Sequence, residues 1–296
     1  DAVAFRVEFD GAPPPNSDMY WRGPVLWHFD GARWSMAPPR SQERTTPEVQ
    51  LSGNPIDYRM MLEAHRMIYL FALDMPLAQG LPDGGGIGGH LNADYQAVTR
   101  RPVRERIAYR LRSYPEYRLQ AQLSESERSA ALQLESGTNP RTAELARQWR
   151  NEGLDDGQMI QRALRHFGEE GFSYTLEPPI LGRDSVDAFL FETRRGFCEH
   201  YASSFAALMR AAGVPARVVL GYQGAEPNMI GDYYVVRQSN AHAWNEVWIS
   251  GMGWIRVDPT AAVAPDRIEM NLEQALSRAG ERLPSHMSGR AAVGLW

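Results

Sequence analysis

Two periodicities divide the chain. Over the first 120 residues apolar and polar positions tend to alternate, the period of a strand with one buried face, and residues 4–9, 58–65, 68–73 and 107–112 read as strands. Asp30-Gly31 between apolar flanks is a two-residue hairpin signal. With Phe29 opposite Ala32, Trp27 falls opposite Trp34 as a cross-strand aromatic pair. Tyr20, Trp21, Trp27 and Trp34 then serve either as core and hairpin packing or as a platform for a ligand.

Near residue 120 the period lengthens. Ser124-Glu125-Ser126-Glu127 is a capping box opening a helix through Leu134. Asn139-Pro140 supplies an N-cap and a first-turn proline for a helix to about Arg150. Asp155 caps a third, with Met159, Ile160, Ala163, Leu164 and Phe167 on its apolar face. Residues 171–177 read as extended up to Pro178-Pro179, and residues 185–191 as a brief helix. From Cys198 an apolar stripe of Ala202, Phe205, Met209 and Ala212 predicts a helix that begins at about residue 197, just after Gly196, and stops at Gly213 and Pro215. Strand patterns return over 216–222, 233–237, 243–249 and 254–257. Residues 270–282 read as a last helix, with Leu272, Leu276 and Ala279 on one face. The expected class is α+β: a mainly-β N-terminal domain over 1–120, a domain of helices packed on an antiparallel sheet over 121–268, and a C-terminal helix and tail over 269–296.

Composition narrows the function. With 43% hydrophobic and 23% charged residues the 296-residue chain is ordinary globular protein. A net charge of −5 argues against nucleic acid as a partner. All 31 basic residues are arginine, and the single cysteine excludes an internal disulfide. No run of eighteen apolar residues spans a bilayer and no signal peptide opens the chain, whose Asp-Ala-Val-Ala start reads as a cut end. The glycine-rich stretch at 80–89 lacks the strand–helix context and the Lys-Ser/Thr of a phosphate loop and reads as a hairpin tip.

The lone cysteine carries the candidate chemistry. In the first turn of a helix, Cys198 meets unpaired N–H groups and the positive end of the macrodipole, which together favour a thiolate of lowered pKa. Downstream follow Asn240-Ala241-His242-Ala243-Trp244-Asn245-Glu246-Val247-Trp248 and Gly253-Trp254-Ile255-Arg256-Val257-Asp258-Pro259-Thr260. A Cys opening a helix, with a His and an Asp on later strands, is a nucleophile, base and orienter arrangement.

These three blocks, GFCEHYASSFAALMRAAGVPARVVLGY, NAHAWNEVW and GWIRVDPT, resemble the transglutaminase-like superfamily, a papain-like cysteine fold, over about residues 125–265. The stretch YWRGPVLWHFDGARW at 20–34 resembles the bacterial membrane-anchored, TgpA-type branch. The resemblance implies a papain-like transglutaminase core with Cys198 as nucleophile, His242 as base and Asp258 as its orienter. It implies acyl transfer from protein glutamine carboxamides through a thioester, with a protein or peptide of the cell envelope as substrate. A cysteine protease or amidase on the same fold, and a catalytically weak envelope binding module, remain as alternatives. The branch implies a periplasmic domain of a bacterial inner-membrane protein, anchored by segments outside this chain. Without lysine, this segment offers no side-chain amine for cross-linking to itself.

Strand alternation places His242, Trp244, Glu246 and Trp248 on one face, with Trp254, Arg256 and Asp258 beside them. A three-residue turn at 251–253 sets Asp258 opposite Glu246 and about 13 Å from His242, too far for a hydrogen bond. Either the turn sits nearer 249–251 or a bulge shifts the register. Trp244 and Trp248 wall an acyl tunnel or pack the sheet, and Tyr174 is the candidate second oxyanion donor beside the Cys198 amide. Glu199, His200 and His242 lack the thiolates or paired histidines of a zinc site, and no acidic loop suits calcium, so neither metal nor cofactor is expected.

Overall fold

The computed structural model describes residues 1–36, 47–82 and 88–269. The GGGIGG run falls largely, and the expected 270–282 helix entirely, outside the described residues. The first 120 residues supply strands β1 (Val3–Phe9), β2 (Tyr20–Leu26), the hairpin β3–β4 (His28–Phe29, Trp34–Ser35), β5 (Val49–Ser52), β6 (Ile56–Leu62), β7 (Tyr69–Leu70) and β8 (Ala72–Leu73). They continue with β9 (Gly89–Leu91), β10 (Ala97–Thr99), β11 (Ile107–Ser113) and β12 (Glu116–Leu119). Helices α1 (Glu125–Ala131), α2 (Pro140–Asn151), α3 (Asp156–Glu169) and α4 (Ser185–Ala188) follow, with the short strand β13 (Ser173–Tyr174) before α4. Then come β14 (Arg195–Gly196), α5 (Cys198–Ala211), β15 (Ala216–Gln223), β16 (Glu226–Pro227), β17 (Tyr234–Arg237), β18 (Ala241–Ile249), β19 (Gly253–Val257) and α6 (Pro265–Glu269).

Two sheets organise these elements, and both draw strands from either side of residue 120. A seven-stranded sheet runs β5-β12-β19-β18-β15-β2-β8, and a five-stranded one runs β11-β6-β1-β17-β16. In the larger sheet β15 pairs antiparallel with β18 on one side and β2 on the other. Helix α5 lies across β15 and β18, with α2, α3 and α4 around it. Alternation sorts the central strands: Val218, Leu220, Ala243 and Val247 enter the core under α5, while Val219, Trp244 and Trp254 enter a second core on the opposite face with Trp27. Gly221 admits close packing, because a Cβ there would stand 2.0 Å from the Trp21 carbonyl oxygen and 2.9 Å from the Trp244 ring.

Two local expectations are corrected. The Asp30-Gly31 hairpin pairs Phe29 with Trp34, not with Ala32, across a four-residue loop. The Asp30 carboxylate accepts from the amides of both Ala32 (2.9 Å) and Arg33 (2.7 Å), which holds the wider turn open. Phe29 stacks on Trp34 at 4.8 Å, and Trp27 instead meets Trp254 edge-on at 5.5 Å. At the start of α2, Asn139 occupies the N-cap but makes no capping bond; its amide donates to the Gly31 carbonyl, and its oxygen accepts from Val186 and Asp187. Asp187 caps α2 in its place, accepting from the amides of Arg141 (2.9 Å) and Thr142 (2.8 Å). A cap can thus be lent by a helix nearly fifty residues downstream, which no local window contains. The box at Ser124 and the cap at Asp155 form as expected, the latter as a box with Gln158, although α1 ends at Ala131, short of Leu134.

Glu246, 1% exposed, lies beneath the β2–β15–β18 ladder. Arg22 of β2 donates to it from both terminal nitrogens (2.5 and 3.0 Å), and Arg217 of β15 donates from Nε at 2.6 Å. Burial alone would raise the carboxyl, but the two guanidinium groups outweigh it and hold Glu246 down at about 2. Glu246→Gln should therefore lower unfolding stability by roughly 3–5 kcal/mol in denaturant titration, since it takes from two buried arginines the nearest of their counter-charges, ahead of Asp74 for Arg22 and Asp94 for Arg217. The contribution is fully present above the unfolded carboxylate value of about 4.3 and is lost as pH falls toward the folded value. A variant as stable as the parent at neutral pH would contradict this role.

Candidate active site

Cys198 is set at the start of α5 by a tight approach. A Cβ on Gly196 would come 2.7 Å from His200 and 2.9 Å from the Phe189 ring, so glycine is required there. Phe197 is extended, and its amide donates to His200 Nδ1 at 3.4 Å. β13 runs parallel to β14 and sets Tyr174 opposite Gly196, two residues before the cysteine. That pairing brings the buried Tyr174 hydroxyl into the electrostatic surroundings of Cys198. The cysteine is 6% exposed, and the Ala243 amide, next after His242, favours its ionised form.

His242 and Asp258 are in contact. Nε2 of His242 lies 2.7 Å from Asp258 Oδ2. The β18–β19 register pairs Asn245 with Val257 and Ile249 with Gly253, so the loop is residues 250–252 and Asp258 comes opposite Trp244. That is one step tighter than a turn at 251–253, and it leaves His242 and Asp258 as diagonal neighbours, within side-chain reach. Asp258 then leaves the strand, its second oxygen accepting the Thr260 amide at 2.9 Å. Because the carboxylate is an acceptor, Nε2 carries the proton and Nδ1 is the free ring nitrogen. Nδ1 is buried and has no partner among the described residues.

Two further residues complete the cluster without a sequence signal of their own. Tyr20, on β2 in the first 120 residues, donates its hydroxyl to Asp258 Oδ2 at 2.8 Å. Its ring packs edge-on to Trp244 at 5.2 Å, with the Arg256 guanidinium 4.2 Å from the ring centroid. Arg267 of α6 is 1% exposed and donates to Gln223 Oε1 (3.2 Å) and the Ala241 carbonyl (3.3 Å). It brings a buried positive charge toward the sulfur and His242. The aromatic question resolves by position. Trp244 is fully buried and Trp248 bonds the Gln120 carbonyl, so both pack the sheet, while Trp34 walls a cleft and donates to Ser203 Oγ at 2.9 Å. The cleft, about 1110 Å³, reaches from Tyr69 and Pro178 in to Glu199 and Ala243. No group of three or more His, Cys, Asp and Glu side chains able to hold a metal ion occurs among the described residues.

The electrostatics of the sulfur overturn one expectation. Burial, and then the Glu199 carboxylate, push the Cys198 thiol up to about 12, against the Arg267 charge and the Ala243 amide, which lower it. Desolvation of a thiolate outweighs the partial charge of a helix start. Burial also lowers His242, in spite of Asp258, so the unliganded pair rests as neutral thiol and neutral imidazole. Asp258 stays ionised: burial would raise it, but His242, Tyr20 and the Thr260 amide together bring it below the usual carboxylate value.

Comparison with known proteins supplies the context for this geometry. A family model described as the TgpA N-terminal domain matches residues 1–120, and one described as the transglutaminase-like superfamily matches residues 143–259. The protein-glutamine gamma-glutamyltransferase of Pseudomonas aeruginosa is 42% identical over 281 residues, covering 95% of this chain and 41% of that protein. An uncharacterized protein, YebA, of Bacillus subtilis is 40% identical over 102 residues, covering 32% of this chain and 14% of its own length. The chain thus spans less than half the length of either curated relative. The crystal structure of the periplasmic domain of TgpA from Pseudomonas aeruginosa matches with a TM-score of 0.86 at 42% identity, over 93% of each chain.

The protonation state is open to direct measurement. Alkylation of Cys198 by iodoacetamide should keep accelerating as pH rises through the ordinary thiol value of about 8.5, with no plateau below it. A rate that saturates near neutral pH would show a preformed thiolate and overturn the balance of burial over dipole.

Proposed function

Since the chain belongs to the transglutaminase-like superfamily, in its TgpA-type branch, we propose that it transfers the acyl group of protein glutamine side chains through a thioester on Cys198. The observation that carries this reading is the Tyr20–Asp258–His242 chain of hydrogen bonds ending in an unpartnered Nδ1, with the Ala243 amide favouring the ionised form of Cys198.

In this mechanism His242 Nδ1 takes the Cys198 proton as the sulfur attacks the carboxamide carbon. Asp258 holds the imidazole by Nε2–H and stabilises the imidazolium that forms; Tyr20 fixes the carboxylate in turn. The developing oxyanion is received by the Cys198 amide and the Tyr174 hydroxyl, with the Arg267 charge behind them. Collapse expels ammonia, which leaves with the proton from His242, and the acyl group stays on sulfur. An amine then attacks the thioester to give a secondary amide, or water attacks it to give glutamate.

The TgpA structure is of a periplasmic domain. By that likeness this segment works in the periplasm on envelope proteins or peptides, held by membrane segments outside these residues. No helix of the described residues is long and apolar enough to cross a membrane.

Glutamine-dependent ammonia release and incorporation of a fluorescent primary amine, followed in parallel, test the reading. Cys198→Ala and His242→Ala should each reduce turnover by roughly 10⁶-fold and Asp258→Ala by roughly 10⁴-fold, the non-additive pattern of groups acting as one unit. Tyr20→Phe, which removes one hydrogen bond to a charged acceptor, should cost about tenfold in kcat with KM little changed. Turnover that survives Cys198→Ala removes the proposal.

A further inference from the structure

Glu199 is the one acidic residue of the cleft lining, and the triad chemistry leaves it unused. It follows the nucleophile in the first turn of α5 and lines the cleft, as does Ala243, the residue after His242. Its carboxylate is close enough to Cys198 to oppose ionisation of the thiol. No hydrogen bond or ion pair reaches it from any described residue, although it is half-buried. An unpaired carboxylate in a cleft wall is costly to keep, and the cost is relieved when a cation enters. The lining combines apolar Leu26, Trp34, Val218 and Leu220 with the uncharged polar groups of Ser203 and Ser204, and its other formally charged side chain is Arg33. Such a site suits a positive head on an aliphatic stem.

We infer that Glu199 receives the ammonium group of the acyl acceptor, a primary alkylamine of the lysine type, and takes its first proton. The inference rests on the acyl-transfer reading above. It also requires the amine to come from another molecule or another part of the protein, because none of these 296 residues is lysine. An alkylammonium ion, with a pKa of about 10.4, is not a nucleophile at neutral pH. On the carboxylate it gives up one proton, leaving a neutral amine and a carboxylic acid. The amine nitrogen then bonds to the thioester carbon, its second proton passes to His242, and the carbon–sulfur bond breaks. The departing thiolate regains a proton from His242, and Glu199 returns its own to solvent. Burial raises the Glu199 carboxyl to about 7, which suits a group that must both accept and release a proton near neutrality.

The experiment compares two acceptors with one blocked glutamine peptide as donor. n-Butylamine is cationic at neutral pH, and hydroxylamine is a small nucleophile that is neutral there. In Glu199→Gln the KM for n-butylamine should rise by about tenfold relative to that for hydroxylamine, the scale of a lost charge-assisted contact. An equal change for both acceptors, or none for either, would overturn the assignment, the former pointing to an effect on Cys198 itself. Should the variant fold poorly, the wild-type protein decides. n-Butylammonium should protect Cys198 from iodoacetamide while n-butanol does not, and absence of that difference overturns the site. Failure of wild-type protein to release ammonia from any glutamine donor would sink the acyl-transfer reading, whereas the protection measurement judges the ammonium site independently.

Discussion

The carboxylate of Glu246 is the constraint on which the site depends. It lies between Arg22 of β2 and Arg217 of β15, on the strand that also carries His242. A buried charge shared by three strands tolerates little sliding, because a register slip would strand it or its partners. Holding β2 in register delivers Tyr20 to Asp258, and through Asp258 to His242. The same network reaches Asp74, which meets both Arg22 and Arg256 at 3.4 Å, and Arg256 stands over the Tyr20 ring. The orientation of the histidine is thus secured from the first 120 residues as well as from its own strand.

At the nucleophile, two physical effects compete. A helix start favours an anion by a partial charge that falls off within a turn, whereas taking a thiolate out of water costs several times more. Burial prevails at Cys198, and Glu199 adds to it. What remains is a neutral thiol, with the Arg267 charge of α6 opposing the effect of burial.

Much was legible in the residues themselves. The α+β order, the capping box at Ser124 and the cap at Asp155, the α5 stripe and the four late strands are all written in short-range periodicity and cap chemistry, which act within a few residues. So were the elements that carry Cys198, His242 and Asp258, because each sits in a local pattern that names its element. Tertiary structure decided the rest. Whether Asp258 reaches His242 turned on a single loop residue between β18 and β19, a difference that alternation alone leaves undetermined. The cap of α2 came from Asp187, and the partner of Trp27 was Trp254. Tyr20 and Arg267 joined the site from 238 positions before Asp258 and 69 after Cys198, respectively. Burial, which sets the state of the thiol, is a property of the whole packed chain. Sequence periodicity reports what a residue does to its neighbours along the backbone; desolvation and long-range charge are fixed only once the sheets and helices have closed around it.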